Sequence, residues 1–418
     1  MPTKIRFALQ LFITSVLCLS ALTLTAQEVV PIRKDVEQHF FTFKQVEVLK
    51  DSAGKLTFEQ VLSPQMQAKF KASERSTPQT TDLSTTLWMR IKIKHDSSVD
   101  RKFLLEFFDQ TIDHLDAYLP TGDGRYIRKS LGDGIKFDSR EVHHKNFELY
   151  LNNTDRNVHT YYFRINSKQI SDAIVVLRSV NRFISYALDE YFYFGIFYGM
   201  ILVFSFYNLM MFIAMRQTQY LHYVMYILSV ALFEMSTDGI AFQYLWPNAV
   251  EWNQTAFSFA LCSMSVFALL FTREFLHVKR ISIKLDRLIL SVVFLRIAFL
   301  LFSYFYFPIL LTYKFLDFIP LAVAFYAGIY VHRKGYVPAR FFVLGYSFLA
   351  VGFIIKVLIM LEFEELNQNA IGYYSLSFCF VLEMIFLSFA IGDKVRILRK
   401  KKERAQAEMI HQMAENAK

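Results

Sequence analysis

The run Tyr191–Ala214, YFYFGIFYGMILVFSFYNLMMFIA, decides the class of fold. It holds 24 residues and no Asp, Glu, Lys or Arg. As a helix rising about 1.5 Å per residue, it can cross the ~30 Å hydrocarbon layer of a bilayer. Six further runs follow, at roughly 220–244, 255–275, 288–307, 314–331, 340–361 and 370–392, separated by short charged loops. Seven membrane spans are therefore expected. Composition agrees: 54% of the 418 residues are hydrophobic and 44 are Phe, with a mean hydropathy of +0.28. A soluble chain of this size must cover itself with polar groups.

Charge sets the orientation. One side carries Arg216, then Arg273, Lys279, Arg280, Lys284 and Arg287, then Arg333, Lys334 and Arg340, and finally Lys394, Arg396, Arg399, Lys400, Lys401, Lys402 and Arg404. The other side has Lys314 and an acidic group, Glu362, Glu364 and Glu365. Basic loops stay in the cytoplasm. The N-terminus agrees, with Lys4 and Arg6, an apolar stretch to Leu24, and Leu24-Thr25-Ala26 as a cleavage site before Gln27. A retained anchor is the alternative. A cleaved leader and an odd span count place the start outside and the end inside a bacterial inner membrane. Cys18 follows bulky Leu17, which argues against a lipoprotein, and Cys262 and Cys379 lie in spans, so no disulfide staples the exported part. The expected organisation is a signal peptide (1–26), a periplasmic β-sandwich sensor (27–185), a seven-helix membrane domain (186–393) and a basic cytoplasmic signalling helix (394–418).

The exported part has a different period. Trp88-Met89-Arg90-Ile91-Lys92-Ile93-Lys94 alternates as a strand with one solvated face does. Residues 103–108, 114–119, 147–151, 161–165 and 173–177 are further strands. Gly122-Asp123-Gly124 and Gly132-Asp133-Gly134 signal turns. The pattern predicts an all-β sandwich or jelly roll, interrupted by a helical stretch at 56–70.

Several of these stretches resemble a known family. Leu87-Trp88-Met89-Arg90-Ile91, Leu104-Leu105-Glu106-Phe107, Ile112-Asp113-His114-Leu115-Asp116-Ala117-Tyr118-Leu119-Pro120, Gly122-Asp123-Gly124-Arg125-Tyr126 and His143-His144-Lys145-Asn146-Phe147 are similar to the type-2 extracellular domain of bacterial seven-transmembrane receptors with diverse intracellular signalling modules (7TMR-DISM). The membrane part is similar in the same order: Tyr198-Gly199, Tyr207-Asn208, Arg216, Tyr220-Leu221, Tyr223, Gly239, Tyr244-Leu245-Trp246-Pro247 and Leu387-Ser388-Phe389-Ala390-Ile391-Gly392-Asp393-Lys394-Val395-Arg396. The resemblance implies a sensor whose exported jelly roll resembles carbohydrate-binding modules and whose spans relay its state inward. The family's output is a module such as a histidine kinase or a diguanylate cyclase. This sequence departs there: about 25 residues follow the last span. The expected output is a separate cytoplasmic protein, such as a histidine kinase, or else the chain is a shortened copy.

Three groups of residues are candidates for function. Trp88, Arg90, Phe108, Tyr126, His143 and His144 are the ligand-binding candidates, the aromatics offering a platform for a sugar ring. The same aromatics also read as sandwich core. Adjacent histidines on a strand face opposite ways, so no metal site is expected. Charges within spans are costly and mark function or pairing. Glu234, Asp238, Asp317 and Lys356 are expected to form an outer cluster, and Arg296 and Glu383 an inner pair, together a charge switch between two states. Structural pairing and an ion path are the other readings of these charges. The basic residues of the tail, Lys394, Arg396, Arg399, Lys400, Lys401, Lys402 and Arg404, face the anionic inner leaflet. Sparse apolar positions in that helix are consistent with pairing in a homodimer. No GxSxG, HExxH, CxxC or phosphate loop stands in a suitable setting, so the chain is read as a non-enzymatic receptor without cofactor, metal or nucleic acid. A transporter or channel, a light sensor and a membrane-anchored binding module are the competing readings. The last span lacks the lysine a retinal Schiff base would need.

Overall fold

The computed structural model describes residues 27–78, 80, 85–96, 101–152, 155–168, 171–312, 314–360 and 370–416. The leader, Glu362, Glu364, Glu365 and the side chain of Lys314 lie outside the described residues. Contacts divide the chain into two compact units. One comprises the chain up to Ile135 with Asn146–Phe183; the other comprises Lys136–Lys145 with Ile184–Lys418. Ten residues, Lys136–Lys145, thus leave the strand region and join the helices.

The first unit is a sandwich of eleven strands among the described residues: β1 (Val30–Ile32), β2 (Gln38–Phe40), β3 (Val46–Asp51), β4 (Lys71–Ala72), β5 (Thr86–His95), β6 (Phe103–Phe107), β7 (His114–Pro120), β8 (Tyr126–Leu131), β9 (Phe147–Tyr150), β10 (Val158–Asn166) and β11 (Val175–Ser179). One sheet runs β4-β3-β5-β10-β7-β8, with β1 added parallel to β5; the other runs β2-β11-β6-β9. Strand alternation decides the core. Leu87, Met89, Ile91 and Ile93 of β5 point between the sheets, meeting Leu105, Phe107, Leu149 and Leu177 from the opposite sheet. Trp88 and Arg90 consequently point to the other face. Gly122-Asp123-Gly124 makes the turn between β7 and β8, with Gly124 at φ +80°. The second Asp-Gly signal is not a hairpin turn. It continues past β8 beside the start of β7, where Asp133 N–H donates to Ile112 O at 2.9 Å. A Cβ on Gly132 would meet the Asp113 carbonyl at 2.0 Å, so the glycine serves close approach. The helical interruption is two single turns, α1 (Phe58–Val61) and α2 (Pro64–Gln67). Thr57 and Gln60 cap α1 reciprocally.

The second unit is helical: α3 (Val180–Met215), α4 (Thr218–Thr237), α5 (Ile240–Tyr244), α6 (Val250–Phe275), α7 (Val278–Ile281), α8 (Ile283–Tyr306), α9 (Phe318–Arg333), α10 (Ala339–Met360) and α11 (Ala370–Asn416). Five of these, α3, α6, α8, α10 and α11, are long and apolar enough to cross a membrane. With the 20-residue α4 and the shorter α9 they account for the seven expected spans. Large apolar side chains such as Phe192, Val203, Phe206, Phe294 and Phe305 are exposed on α3 and α8, as lipid contact allows. Three spans differ from expectation. The first begins eleven residues early, at Val180. The second ends early, because Gly239 at φ +77° stops α4 and a new turn, α5, begins. The last does not end at Gly392: one unbroken helix of 47 residues carries it into the tail. Close approach joins α10 to α11, where a Cβ on Gly352 would meet Cys379 Cβ at 2.9 Å and one on Gly345 would meet the Glu383 carbonyl at 3.2 Å.

Candidate functional site

In the sandwich unit the ligand-binding candidates fall in different places. Trp88, Arg90 and Tyr126 share the face of the larger sheet turned away from the core, with Tyr118 and Tyr162 among them. This face is covered by the α1–α2 segment. Trp88 is fully buried, and Arg90 lies 4.4 Å from the Phe70 ring while bonding Glu47 and Gln67. The Tyr126 phenol is pushed up to about 12, by burial first and by neighbouring Tyr162 second. Burial likewise raises Tyr118 and Tyr162. All three remain neutral hydroxyl donors at physiological pH. Phe108 lies just past β6 of the smaller sheet, 5.5 Å from the Arg178 guanidinium. His143 and His144 are not in this unit at all. The six candidates therefore do not form one site.

The histidines sit in the segment Lys136–Lys145 between β8 and β9, which packs within the helical unit. A 3-10 turn (Phe137–Ser139) starts it, and Phe137 N–H donates to Pro247 O at 2.9 Å. The Phe137 ring meets Phe242 edge-on at 5.8 Å. Arg140 stands 4.4 Å over Phe137 and donates to the carbonyls of His144 and Lys145. Asn248 donates to Asp138 at 2.9 Å, and Gln243 donates to the His143 carbonyl at 3.1 Å. The segment ends in a buried ion pair: Lys145 Nζ lies 3.2 Å from Glu190 Oε1, with side chains 0% and 2% exposed. His144 Nε2 is 3.8 Å from the other oxygen, and the Tyr374 hydroxyl donates to Glu190 at 2.8 Å. One carboxylate on α3 thus gathers the loop and α11. Sequence reading did not pick out Lys145 and Glu190 as a pair. The visible signal was Glu190 itself, an acid at the mouth of an apolar run.

The intramembrane charges pair differently from expectation. Arg296 binds Asp317 through two contacts, 3.1 and 3.0 Å, and Ser265 also donates to Asp317. Asp317 therefore belongs with Arg296, and Glu383 does not. The reason is helix order: α8 packs mainly on α6 and α9, while α11 packs on α10. Glu383 is instead fully buried near Tyr223, Tyr226 and Tyr346. A cavity of about 30 Å³, room for roughly one water, lies against Tyr226, Tyr346, Ser265 and Asp317. Glu234 and Asp238 are buried one helical turn apart, bonded by Ser377 and Tyr198 respectively. Lys356 acts on both electrostatically and donates to the Gly372 carbonyl at 3.1 Å.

Beside Gly392 the lipid-facing assignment of Lys394 is corrected. It is 4% exposed, with Nζ bonding Gln219 and the Phe275 carbonyl at 3.2 Å and lying 5.2 Å over the Phe275 ring. A cation at the C-terminal carbonyls of α6 is favoured by their partial negative charge. Beside it, Asp393 takes Arg340 at 3.1 Å and Arg396 at 2.6 Å. Arg399 pairs with Glu403, and Lys400, Lys401, Lys402 and Arg404 are exposed.

A family model described as 7TM diverse intracellular signalling matches residues 190–394, and one described as 7TMR-DISM extracellular 2 matches residues 44–179. No curated protein matches the sequence.

Proposed function

The chain belongs to the 7TM diverse intracellular signalling family and is a transmembrane sensory receptor with an N-terminal extracellular domain, and from this we propose how it works. It resides in a bacterial inner membrane with its tail in the cytoplasm. The exported sandwich binds a small neutral ligand, a carbohydrate. The helices pass the change to α11, which a separate cytoplasmic protein, such as a histidine kinase, reads. The chain itself performs no catalysis.

The observation that carries this reading is the Lys136–Lys145 segment. Strands β8 and β9 close opposite sheets of the sandwich, and the chain between them is anchored in the helices by Lys145 and Glu190. A shift between the sheets would pull on a buried ion pair to which Tyr374 of α11 is also bonded. Breaking one partner of such a pair leaves an uncompensated charge, at about 3–5 kcal/mol. A relay needs an element with two arrangements, and this pair, made or broken, would supply them. The charges Glu234 and Asp238 at the end of α4, bonded by Ser377 of α11 and Tyr198 of α3, continue the polar path toward Lys356 of α10.

The test uses the full chain in lipid nanodiscs, with a fluorophore at Lys401→Cys, titrated with neutral cell-envelope and plant-type oligosaccharides. A saturable signal from the tail is expected. It should vanish in Lys145→Met/Glu190→Met while the same sugar still raises the melting temperature. A sugar that stabilises the wild type without any tail signal would leave an anchored binding module. Absence of stabilisation by any sugar would remove the carbohydrate.

A further inference from the structure

We propose that the segment 56–70 is a displaceable lid over an aromatic box, and that Phe58 fills the place of a pyranose ring of a neutral oligosaccharide. This rests on the reading that the exported sandwich is the ligand-binding unit.

Four strands each send one aromatic residue to the face turned away from the inter-sheet core: Trp88 from β5, Tyr118 from β7, Tyr126 from β8 and Tyr162 from β10. The core is complete without them, since the inward residues form their own cluster. An exposed sheet face is ordinarily polar, so four aromatics there need an occupant. The present occupant is Phe58. Its ring lies flat on Tyr118, with centroids 3.9 Å apart and planes 6° apart. Trp88 faces it at 6.4 Å, and Tyr126 and Tyr162 present edges at 5.0 and 5.7 Å. A sugar ring stacks on aromatic side chains in the same flat manner.

The lid is weakly held. The helices α1 and α2 have four residues each, far below the length at which a helix is stable alone. Within 56–70 only Val61 and Phe70 are fully buried, and most of the remainder is exposed. The polar latch is Gln67, whose Oε1 accepts from Tyr162 Oη at 2.9 Å and from Arg90. Few buried contacts over a short exposed segment mark a region that opens locally.

The box also offers what a hydroxylated neutral ligand needs. The Trp88 indole N–H is buried with no hydrogen-bond partner among the described residues, an available donor to a ligand oxygen. The charged rim is already paired, Arg90 with Glu47, and Asp116 with Arg128 and Arg164. Such a rim can hydrogen-bond hydroxyls, and it gives no reason for a charged ligand to enter.

The experiment uses the full chain in nanodiscs, in a Trp246→Phe/Trp252→Phe background so that Trp88 alone reports. Acrylamide quenching follows the lid, and calorimetry with cellohexaose, maltohexaose and chitohexaose follows the site. In Phe58→Ala we expect Trp88 to become quenchable and one sugar to bind at least roughly tenfold tighter, because a closed lid lowers the competent fraction. Gln67→Ala, which cuts the latch and leaves the box intact, should act in the same direction. Tyr118→Ala should lose binding. Equal affinity in wild type, Phe58→Ala and Gln67→Ala would overturn the lid and leave the carbohydrate reading standing. A quenchable Trp88 with no sugar bound by any variant would overturn the ligand class here and in the receptor reading. A Trp88 shielded in both lid variants would overturn the proposal outright.

Discussion

Lys394 and His277 show what single residues decide beside the end of α6. Lys394 is one of seven basic residues between 394 and 404 in the sequence, yet it alone turns inward to the α6 carbonyls. Lys394→Met should lower stability by roughly 1–3 kcal/mol in thermal unfolding of the detergent-solubilised protein, whereas Lys400→Met should leave it unchanged. Beside it, His277 caps α7 at φ +52°, with its ring 5.8 Å from Tyr336. Burial first, then the cations Lys394 and Arg280, depress the imidazole to about 4. Its unfolded value is near 6.5. Between these values the unfolded chain holds the extra proton, so stability contributed by neutral His277 is complete above 6.5 and is lost as pH falls toward 4. Melting temperatures of wild type and His277→Gln should diverge below pH 6.5, with the variant less sensitive to acid. Nothing in the sequence singled out His277 or set Lys394 apart from the other basic residues of the tail, because both depend on which carbonyls and rings come to surround them.

Elements were legible to the extent that their signal is local. The apolar runs marked where each of the seven spans lies but not its ends, since bilayer thickness fixes only a minimum length. Alternation marked β5, β6, β7, β9, β10 and β11 in the same way and left β8 unmarked. What stayed hidden was where elements continue or break. Gly239 ends α4 inside an apolar run, and α11 passes Gly392 without interruption. One helix of 47 residues thus joins the bundle to the tail. Arg396→Pro should break it, abolishing the Lys401 reporter response while ligand stabilisation of the receptor persists. Packing between spans also rests on small residues. Gly352→Leu should push α11 off α10 and cost about 1–3 kcal/mol, read as a lower melting temperature. Gly122→Ala, which meets nothing within 4 Å, is the control.

Across the whole molecule, topology is the first expectation to check. A membrane-impermeant maleimide should label Asp123→Cys from outside the membrane and Lys401→Cys only from inside, against native Cys262 and Cys379, which are buried. Labelling of both from one side would refute the proposed orientation. The sequence by itself determined the division into an exported β unit and seven spans, because hydrophobic period and run length are properties of neighbouring residues. It also placed charges in the spans, since any Asp, Glu, Lys or Arg there stands out against an apolar background. Only the tertiary structure decided their partners. Arg296 met Asp317 rather than Glu383, and His143 and His144 joined the helices rather than the sandwich face, because pairing depends on which elements become neighbours. The same holds for Trp88: alternation put it opposite the core, but only folding brought Phe58 over it, from thirty positions away in the chain.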